Sequence, residues 1–416
     1  MSINNRWFQL TAFLIAMTMI ANLQYAWTLF VKPVQAGTGW KLSDIQLAFT
    51  LFIFFQTWAQ PAQGWLIDRM GPRLFISIAG VLCGVGWAGL GLVSSLPAFY
   101  SLYVIAGIGA ALVYGGSIGS ALKWFTSKRG LASGILAAGF GGGAALFIPL
   151  IGWMLKTQGY QATFLWTGVF QGLIILIAAQ FVRHPTPEAV PAAAAASKPA
   201  APASKLGRHH FTTVEMLKTP QFYVLYLMFL MMATGELMLT ANAGPIAGAW
   251  GIPVAALTLA TSLNALANGA SRIFWGAVSD RIGRETCLSI AFVLQAVCLL
   301  LVATLGRLSG TWFTITLVLT FFTWGEIYSL FPSIVGDYFG TRHATSNYGV
   351  MYSAKGVASI IGGWVAALLN ERFGTWTALI YGGAVLALLA AALVRTLRRA
   401  PETSHEPAMG VPATAK

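Results

Sequence analysis

Charge is what this sequence has least of. Of 416 residues, 12 are acidic and 25 basic, 9% together, against 57% hydrophobic. That balance excludes an ordinary soluble domain, whose surface needs charge to stay in water. Cysteine is scarce as well. Cys83, Cys287 and Cys298 all lie inside apolar runs without metal-ligand spacing, so neither a metal centre nor a secreted disulfide framework is expected, and they read as small buried residues. The five histidines, His184, His209, His210, His343 and His405, fall in loops or tails, which leaves none to relay protons at depth. No nucleophile and base pair lies within the apolar runs, so no enzyme activity, cofactor or metal is expected. The first apolar run is too long for a signal-peptide core and lacks an obvious small-residue cleavage site, so it is expected to remain as a span.

What the sequence does have is long apolar runs. Mean hydropathy is +0.71, and twelve runs are long enough to span a bilayer, at about 7–31, 43–66, 74–93, 98–120, 130–155, 162–182, 221–246, 253–277, 286–305, 311–335, 345–369 and 376–395. The formal net charge of +13 could suggest a nucleic-acid partner, but the positions of the basic residues follow the positive-inside rule instead. With the N-terminus in the cytoplasm, eighteen of the 25 basic residues fall in cytoplasmic segments and five in outer loops. Both termini are therefore expected to be cytoplasmic, and no nucleic acid is expected as a partner. The two remaining basic residues, Arg272 and Lys355, lie inside spans.

Proline and alanine replace large apolar residues at 184–212, PTPEAVPAAAAASKPAAPASKLGRHHFTT in part, a composition expected of a flexible or extended linker. It separates six runs from six. The domain reading is a six-helix bundle over 1–183, a cytoplasmic linker over 184–218, a second six-helix bundle over 219–397 and a tail over 398–416. The halves repeat one another: GWLIDRMGPR follows the second run and GAVSDRIGR the eighth, with Asp68, Arg69 and Gly71 matching Asp280, Arg281 and Gly283 at a constant offset. WFTSKRGLASG after the fourth run echoes YFGTRHATSNYG after the tenth. One charged turn can be a solvated loop, but two in register are a repeat.

These G-x3-D-R-x-G turns resemble the signature of the major facilitator superfamily, over nearly the whole chain apart from the linker and the tail. The resemblance implies an all-α integral membrane fold of twelve transmembrane helices in two pseudo-symmetric six-helix bundles that rock about a midplane site. In each turn the aspartate can cap a neighbouring helix and pair with an arginine, so Asp68, Arg69, Arg73, Asp280, Arg281 and Arg284 are expected to latch one conformation.

Arg272 lies eight residues inside the second turn, roughly 12 Å deep, and Lys355 about ten residues or 15 Å from its own cytoplasmic end. An ionisable group at that depth faces a cavity and marks a functional site. On the eighth span Asn264, Asn268, Arg272 and Trp275 share a face; on the eleventh Tyr348, Tyr352, Lys355 and Ser359 do so. Trp324 and Tyr328 are one turn apart on the tenth. Tyr25 with Asn22, Gln56 with Gln60, and Tyr114 with Ser117 form uncharged stripes in the first half. Aromatics at this spacing equally suit core packing, and a glutamine pair equally suits helix association. Two acids, Glu236 and Glu326, could neutralise the cations internally. By helical geometry Glu326 points about 160° away from Tyr328, and Glu236 lies roughly 22 Å from the cytoplasmic end, nearer the outer mouth.

Arg272 in SRIFWG, Lys355, FFTWGEIYSLFPS and KWFTSKRGLASG together resemble the oxalate-formate antiporter family within that superfamily. That resemblance implies exchange of oxalate for formate across a bacterial inner membrane, a basic pair at Arg272 and Lys355, and pocket walls at Trp324 and Tyr328; the helical stripes add Tyr352 to this wall and Tyr25, Gln56 and Tyr114 opposite. The chain departs from the family pattern at Glu236, at Glu326 beside the tenth-span Trp-Gly, and at Tyr352, where an aromatic of another type is expected. The two glutamates are candidates for proton coupling. Arg272 can take one carboxylate by a bidentate fork while Lys355 meets the other as a point charge. Closing around two unpaired cations is costly, so exchange is expected to be obligate. The partners expected are small carboxylates and the lipid bilayer, with the monomer as the working unit. The alternative is a proton-linked monocarboxylate carrier for lactate or pyruvate, in which the eighth-span arginine alone binds the carboxylate.

Overall fold

The computed structural model describes residues 4–60, 63, 66–67, 70–125, 129–185, 210–340 and 343–397. Asp68 and Arg69, residues 186–209 of the expected linker and the expected tail at 398–416 lie outside the described residues. The helices are α1 Arg6–Ile20, α2 Asn22–Tyr25, α3 Trp27–Thr38, α4 Leu42–Trp58, α5 Pro72–Gly89, α6 Leu96–Trp124, α7 Arg129–Gly143, α8 Ile148–Phe181, α9 Thr213–Met216, α10 Pro220–Ala249, α11 Val254–Ile282, α12 Arg284–Thr304, α13 Gly310–Phe339, α14 Ala344–Ser359, α15 Ala366–Phe373 and α16 Trp376–Leu393.

Nine of the helical stretches among the described residues are long and apolar enough to cross a membrane. One of these, Ala132–Phe181, is 50 residues long and contains Gly159 at φ 80°, a left-handed backbone that interrupts the helix where a loop was expected between two runs. Besides the short α3 and α9, two helices fall outside the nine: α4, which is 17 residues long, and α11, which carries Asn264, Asn268, Arg272 and Asp280. An apolar exterior suits this architecture, since Leu146, Trp166, Ile273 and Val385 are all exposed; a lipid-facing surface gains nothing from charge.

The first expected run is not one regular helix. It divides at Ala21 and Ala26, where Ala21 N–H donates to the Thr18 carbonyl at 3.3 Å and Leu29 N–H to the Ala26 carbonyl at 3.0 Å. Bonds at three-residue spacing tighten the turn and rotate the side chains that follow. A π-helical turn at Ile360–Val365 widens the chain after α14 and contains Gly362 and Gly363. The segment expected to close the linker is already ordered at its end. Thr212 and Glu215 form a capping box on α9, Phe211 N–H donates to the Phe339 carbonyl at 2.9 Å, and Asn347 Nδ2 donates to the Phe211 carbonyl at 3.1 Å.

Helices from the two parts of the sequence meet through polar side chains and small residues. Gln46 Nε2 donates to the Ala241 carbonyl at 2.8 Å, and Thr50 Oγ1 donates to the Ser359 carbonyl at 2.9 Å. Ser43 gives its backbone N–H and hydroxyl to the Glu371 carboxylate at 2.8 and 2.9 Å, which caps the start of α4 from the end of α15. Glycines let helices approach closely: a Cβ on Gly363 would lie 2.5 Å from Thr50 Oγ1, and one on Gly269 would lie 3.1 Å from the backbone nitrogen of Gly142. Gly363→Val is therefore expected to force α4 and the π turn apart at a cost of about 1–3 kcal/mol. Thermal melting in detergent checks this, and an unchanged midpoint would contradict the packing.

Candidate functional site

Arg272 and Lys355 are brought to one place by a single aromatic ring. Tyr328, halfway along α13, is 7% exposed, and its ring centroid lies 4.6 Å from Arg272 Cζ and 5.3 Å from Lys355 Nζ. Both cations are almost fully buried, at 5% and 0% exposed. A desolvated cation over an aromatic face gains on the order of 2 kcal/mol, which offsets part of the cost of burying it. Tyr352 adds a second ring 5.5 Å from Lys355 Nζ and packs 6.2 Å from Tyr328.

The hydrogen bonds of both cations go to neutral oxygens. Arg272 Nη2 donates to Asn268 Oδ1 one turn earlier at 2.9 Å, and Nη1 donates to the Ala137 carbonyl of α7 at 3.1 Å. Lys355 Nζ donates to Gln24 Oε1 of α2 at 3.2 Å and to the Tyr352 hydroxyl at 3.4 Å. Among the described residues the recorded ion pairs involve neither of them. Donors remain unspent around them: Arg272 Nε, Asn268 Nδ2 and Gln24 Nε2 are buried without a partner. Such atoms in an apolar interior are costly unless an acceptor meets them, and a carboxylate supplies several acceptor sites at once.

The first half supplies the facing wall. The Tyr25 and Tyr114 side chains lie close to the Arg272 guanidinium, Tyr25 packs 5.6 Å from Phe140, and Tyr114 stacks on Tyr352 at 6.3 Å with an interplanar angle of 11°. The structure thus brings Arg272, Lys355, Tyr328, Tyr352, Tyr25 and Tyr114 together. Gln56 is buried with Oε1 unpartnered, and no recorded hydrogen bond or ring contact ties it to either cation. Trp324 is fully buried but turns elsewhere. Its ring packs 5.4 Å from Phe321 and would lie 3.2 Å from a Cβ on Gly235, so it fills the crevice between α13 and α10 and has no recorded contact with the cations. One turn of helix offsets it by about 40° from Tyr328, and that offset is enough to send the longer indole to a different neighbour.

Glu236 differs from its expected place near the outer mouth. The Tyr328 hydroxyl donates to its Oε2, and the carboxylate is within electrostatic range of both Lys355 and Arg272. Residue counting measured backbone depth alone, whereas the tyrosine side chain reaches across to α10. Glu326 has no recorded contact with the cations: it is fully buried, both oxygens lack a hydrogen-bond partner, and the titratable groups within its electrostatic range are Cys287 and Cys298 of α12 together with Glu236. The three cysteines are buried thiols, and among the described residues no group of His, Cys, Asp and Glu could hold a metal ion.

Two site residues escaped the sequence reading. Gln24, which the polar stripe of Asn22 and Tyr25 did not include, lies in the short helix α2 after the break at Ala21, where its Oε1 accepts from Lys355 Nζ. Asp337 was missed at the end of α13. Arg284 Nη1 pairs with Asp280 Oδ1 at 2.7 Å and donates to Ser279 Oγ, while Arg284 Nε lies 3.6 Å from Asp337 Oδ2. Arg281 is exposed, and Arg73 donates to Gln180 Oε1 at 2.9 and 2.6 Å. The two turns end alike: Gly71 and Gly283 both start the next helix with φ of 74° and 89°, where a side chain would be strained.

A many-helix apolar protein that buries two cations among unspent hydrogen-bond donors has the makings of a membrane carrier for a small anion. The chain belongs to the Major Facilitator Superfamily, whose model matches residues 11–243 and 224–414. It is 41% identical over 378 residues to the oxalate:formate antiporter of Oxalobacter formigenes, covering 91% of this chain and 88% of that protein. It is also 26% identical over 362 residues to the uncharacterized MFS-type transporter YhjX of Escherichia coli K12, 85% and 86% of the two chains. A monocarboxylate transporter 12 of Xenopus laevis is 24% identical over 337 residues, 76% of this chain and 72% of the relative.

Replacing Gln24 by leucine leaves the buried ammonium of Lys355 with the Tyr352 hydroxyl as its one remaining hydrogen-bond partner. Gln24→Leu is expected to destabilise the protein by about 1–3 kcal/mol. Melting of the purified carrier in detergent measures it, and a midpoint equal to that of the wild type would show that Gln24 does not hold the lysine.

Proposed function

We propose that this chain is a secondary transporter that exchanges small carboxylates, oxalate for formate, by alternating access. The observation that carries the reading is the placement of Arg272 and Lys355 against one Tyr328 ring, with Asn268 and Gln24 donors still free beside them. Oxalate carries one carboxylate at each end of a short rigid body. Arg272 takes one end with its planar fork, Nε included, and Lys355 takes the other as a point charge. The bonds given up are those to neutral oxygens, and charge-assisted bonds to a carboxylate are roughly twice as strong. Tyr25, Tyr114, Tyr328 and Tyr352 exclude water around the pair, and no covalent bond is broken, so we assign no catalytic step. Trp324 packs against Phe321 and Gly235 instead, and Gln56 has no recorded contact with either cation.

The architecture that serves this function is two pseudo-symmetric bundles of six membrane helices, 1–183 and 219–397, joined by a cytoplasmic linker at 184–218 and followed by a tail at 398–416. The repeated turns with left-handed Gly71 and Gly283 support the symmetry, and the basic residues support cytoplasmic termini in a bacterial inner membrane. The monomer is a sufficient unit, because every side chain of the site comes from one chain. Arg284 with Asp280 and Asp337 is a latch at the cytoplasmic face, with Asp68, Arg69, Arg73 and Arg281 as its counterparts and flanks. A partly exposed ion pair contributes on the order of 0–1 kcal/mol, weak enough to open in each cycle.

A second reading, a proton-linked monocarboxylate carrier, draws support from Glu236, which lowers the site's net charge toward what a monoanion needs. The more distant identity to monocarboxylate transporters favours the first reading. Counterflow into proteoliposomes preloaded with oxalate separates them, with oxalate, formate, lactate and pyruvate outside. Wild type is expected to exchange oxalate and formate, and Arg272→Gln or Lys355→Gln to lose that exchange by more than a hundredfold. Near-normal exchange in both variants would refute the two-cation mechanism.

A further inference from the structure

The site holds a third charge that a plain dianion exchanger does not need. Glu236 of α10 is fully buried; its Oε2 accepts the Tyr328 hydroxyl, and its Oε1 has no partner. The titratable and charged groups around it are Tyr328 and, across the helix, Glu326 from α13, Lys355 from α14, Arg272 from α11 and Tyr25 from α2. Among the described residues the other helices packed on α10 bring no further charge to it. Lys32 of α3 lies beside Gly248, about three turns farther along α10. Between Trp376 and Leu393, α16 has Tyr381 as its one ionisable residue, and that residue is exposed; Arg395 after it is exposed too.

Resting on the carboxylate-exchange reading, we propose that Glu236 adjusts the charge of the site to that of the anion it carries, so that one proton travels with each dianion. With Glu236 ionised, the arginine, the lysine and the glutamate sum to one positive charge, which a monoanion neutralises. With Glu236 protonated on Oε1, the sum is two, which a dianion neutralises. Any other pairing buries net charge when the carrier closes, and a buried uncompensated ion strongly disfavours the closed state. The Tyr328 hydroxyl can hold Oε2 in both states, which leaves Oε1 as the proton acceptor. One turn along the same helix Thr240 has an unpartnered Oγ1, and it lines a cavity of about 10 Å³ with Tyr25, Thr28, Thr261 and Asn264. That is space for about one water, one helical turn from Glu236. Glu326 is the less suitable proton carrier, because it lies toward Cys287 and Cys298 rather than toward the anion.

The sign of the pH dependence follows directly. Dianion binding requires the protonated carboxyl, so oxalate affinity falls as pH rises through the Glu236 titration, by up to about tenfold per pH unit. Formate binds the ionised form and shows no such fall. Exchange of oxalate for formate carries no net charge, because the proton accompanies the oxalate.

The test uses the full-length wild-type carrier in proteoliposomes with a potassium diffusion potential set by valinomycin. Oxalate/formate exchange is expected to ignore the imposed potential and to accelerate when the oxalate-entry side is acidified. In Glu236→Gln the site is fixed at two positive charges, so oxalate affinity is expected to stop varying with pH, oxalate/oxalate exchange to persist and exchange for formate to fall by more than tenfold. If that variant does not accumulate, the wild-type measurement decides alone. Wild-type exchange that is driven by the potential and unaffected by pH overturns the inference while leaving the exchanger intact. A wild type that exchanges neither anion overturns the carboxylate reading itself, a failure seen before any voltage or pH is applied.

Discussion

The interaction on which the rest depends is the burial of two positive side chains against one tyrosine ring. A bare cation in an apolar interior is several kcal/mol unfavourable, and Arg272 and Lys355 are held there by π faces and neutral oxygens rather than by a carboxylate in direct contact. Neutral acceptors stabilise a cation enough to keep it charged and in place, but they are readily displaced by an anion. The helices around the site serve this balance. Arg272 reaches the Ala137 carbonyl and Lys355 reaches Gln24, so the same two cations tie the second part of the chain to the first. Under the proposed function, an anion that took these donors would loosen the seam between the helices through shared atoms.

That coupling explains why the seam is built from small and polar residues. Gly142 faces Gly269, Gly363 lies against Thr50, and Gln46 and Thr50 bond to backbone carbonyls across the interface. Contacts of this type have little side-chain bulk to interlock, so they can be broken and remade without repacking a core. At one end Glu371 caps α4, and at the other Arg284 pairs with Asp280 and Asp337. Both are polar contacts near solvent, where opening is cheapest because water replaces the lost bonds.

Much of this was legible in the residues. Arg272 and Lys355 stood out because a charge inside a long apolar run has few explanations, and the stripe of Asn264, Asn268 and Arg272 put their polar neighbours on one face. The paired turns were visible as a repeat, and Gly71 and Gly283 have the left-handed backbone that makes glycine necessary there. Trp324 shows where spacing stops informing. It lies one turn from Tyr328 and shares its stripe, yet it packs against Gly235 and Phe321, because the direction of a long side chain is settled by the neighbour it finds. Gln24 shows the opposite failure, a residue that no spacing argument named and that lies beside Lys355 in the short helix between the breaks at Ala21 and Ala26.

The sequence by itself determined the solvent, the helical class, the family and the two cations, because each of these follows from which residue types recur at which intervals along one chain. Only the tertiary structure decided that both cations share Tyr328, that Gln24 holds the lysine, and that Glu236 stands within electrostatic range of both cations. Those facts depend on distances between helices far apart in the chain, and on side chains that extend well beyond the backbone positions a residue count can follow.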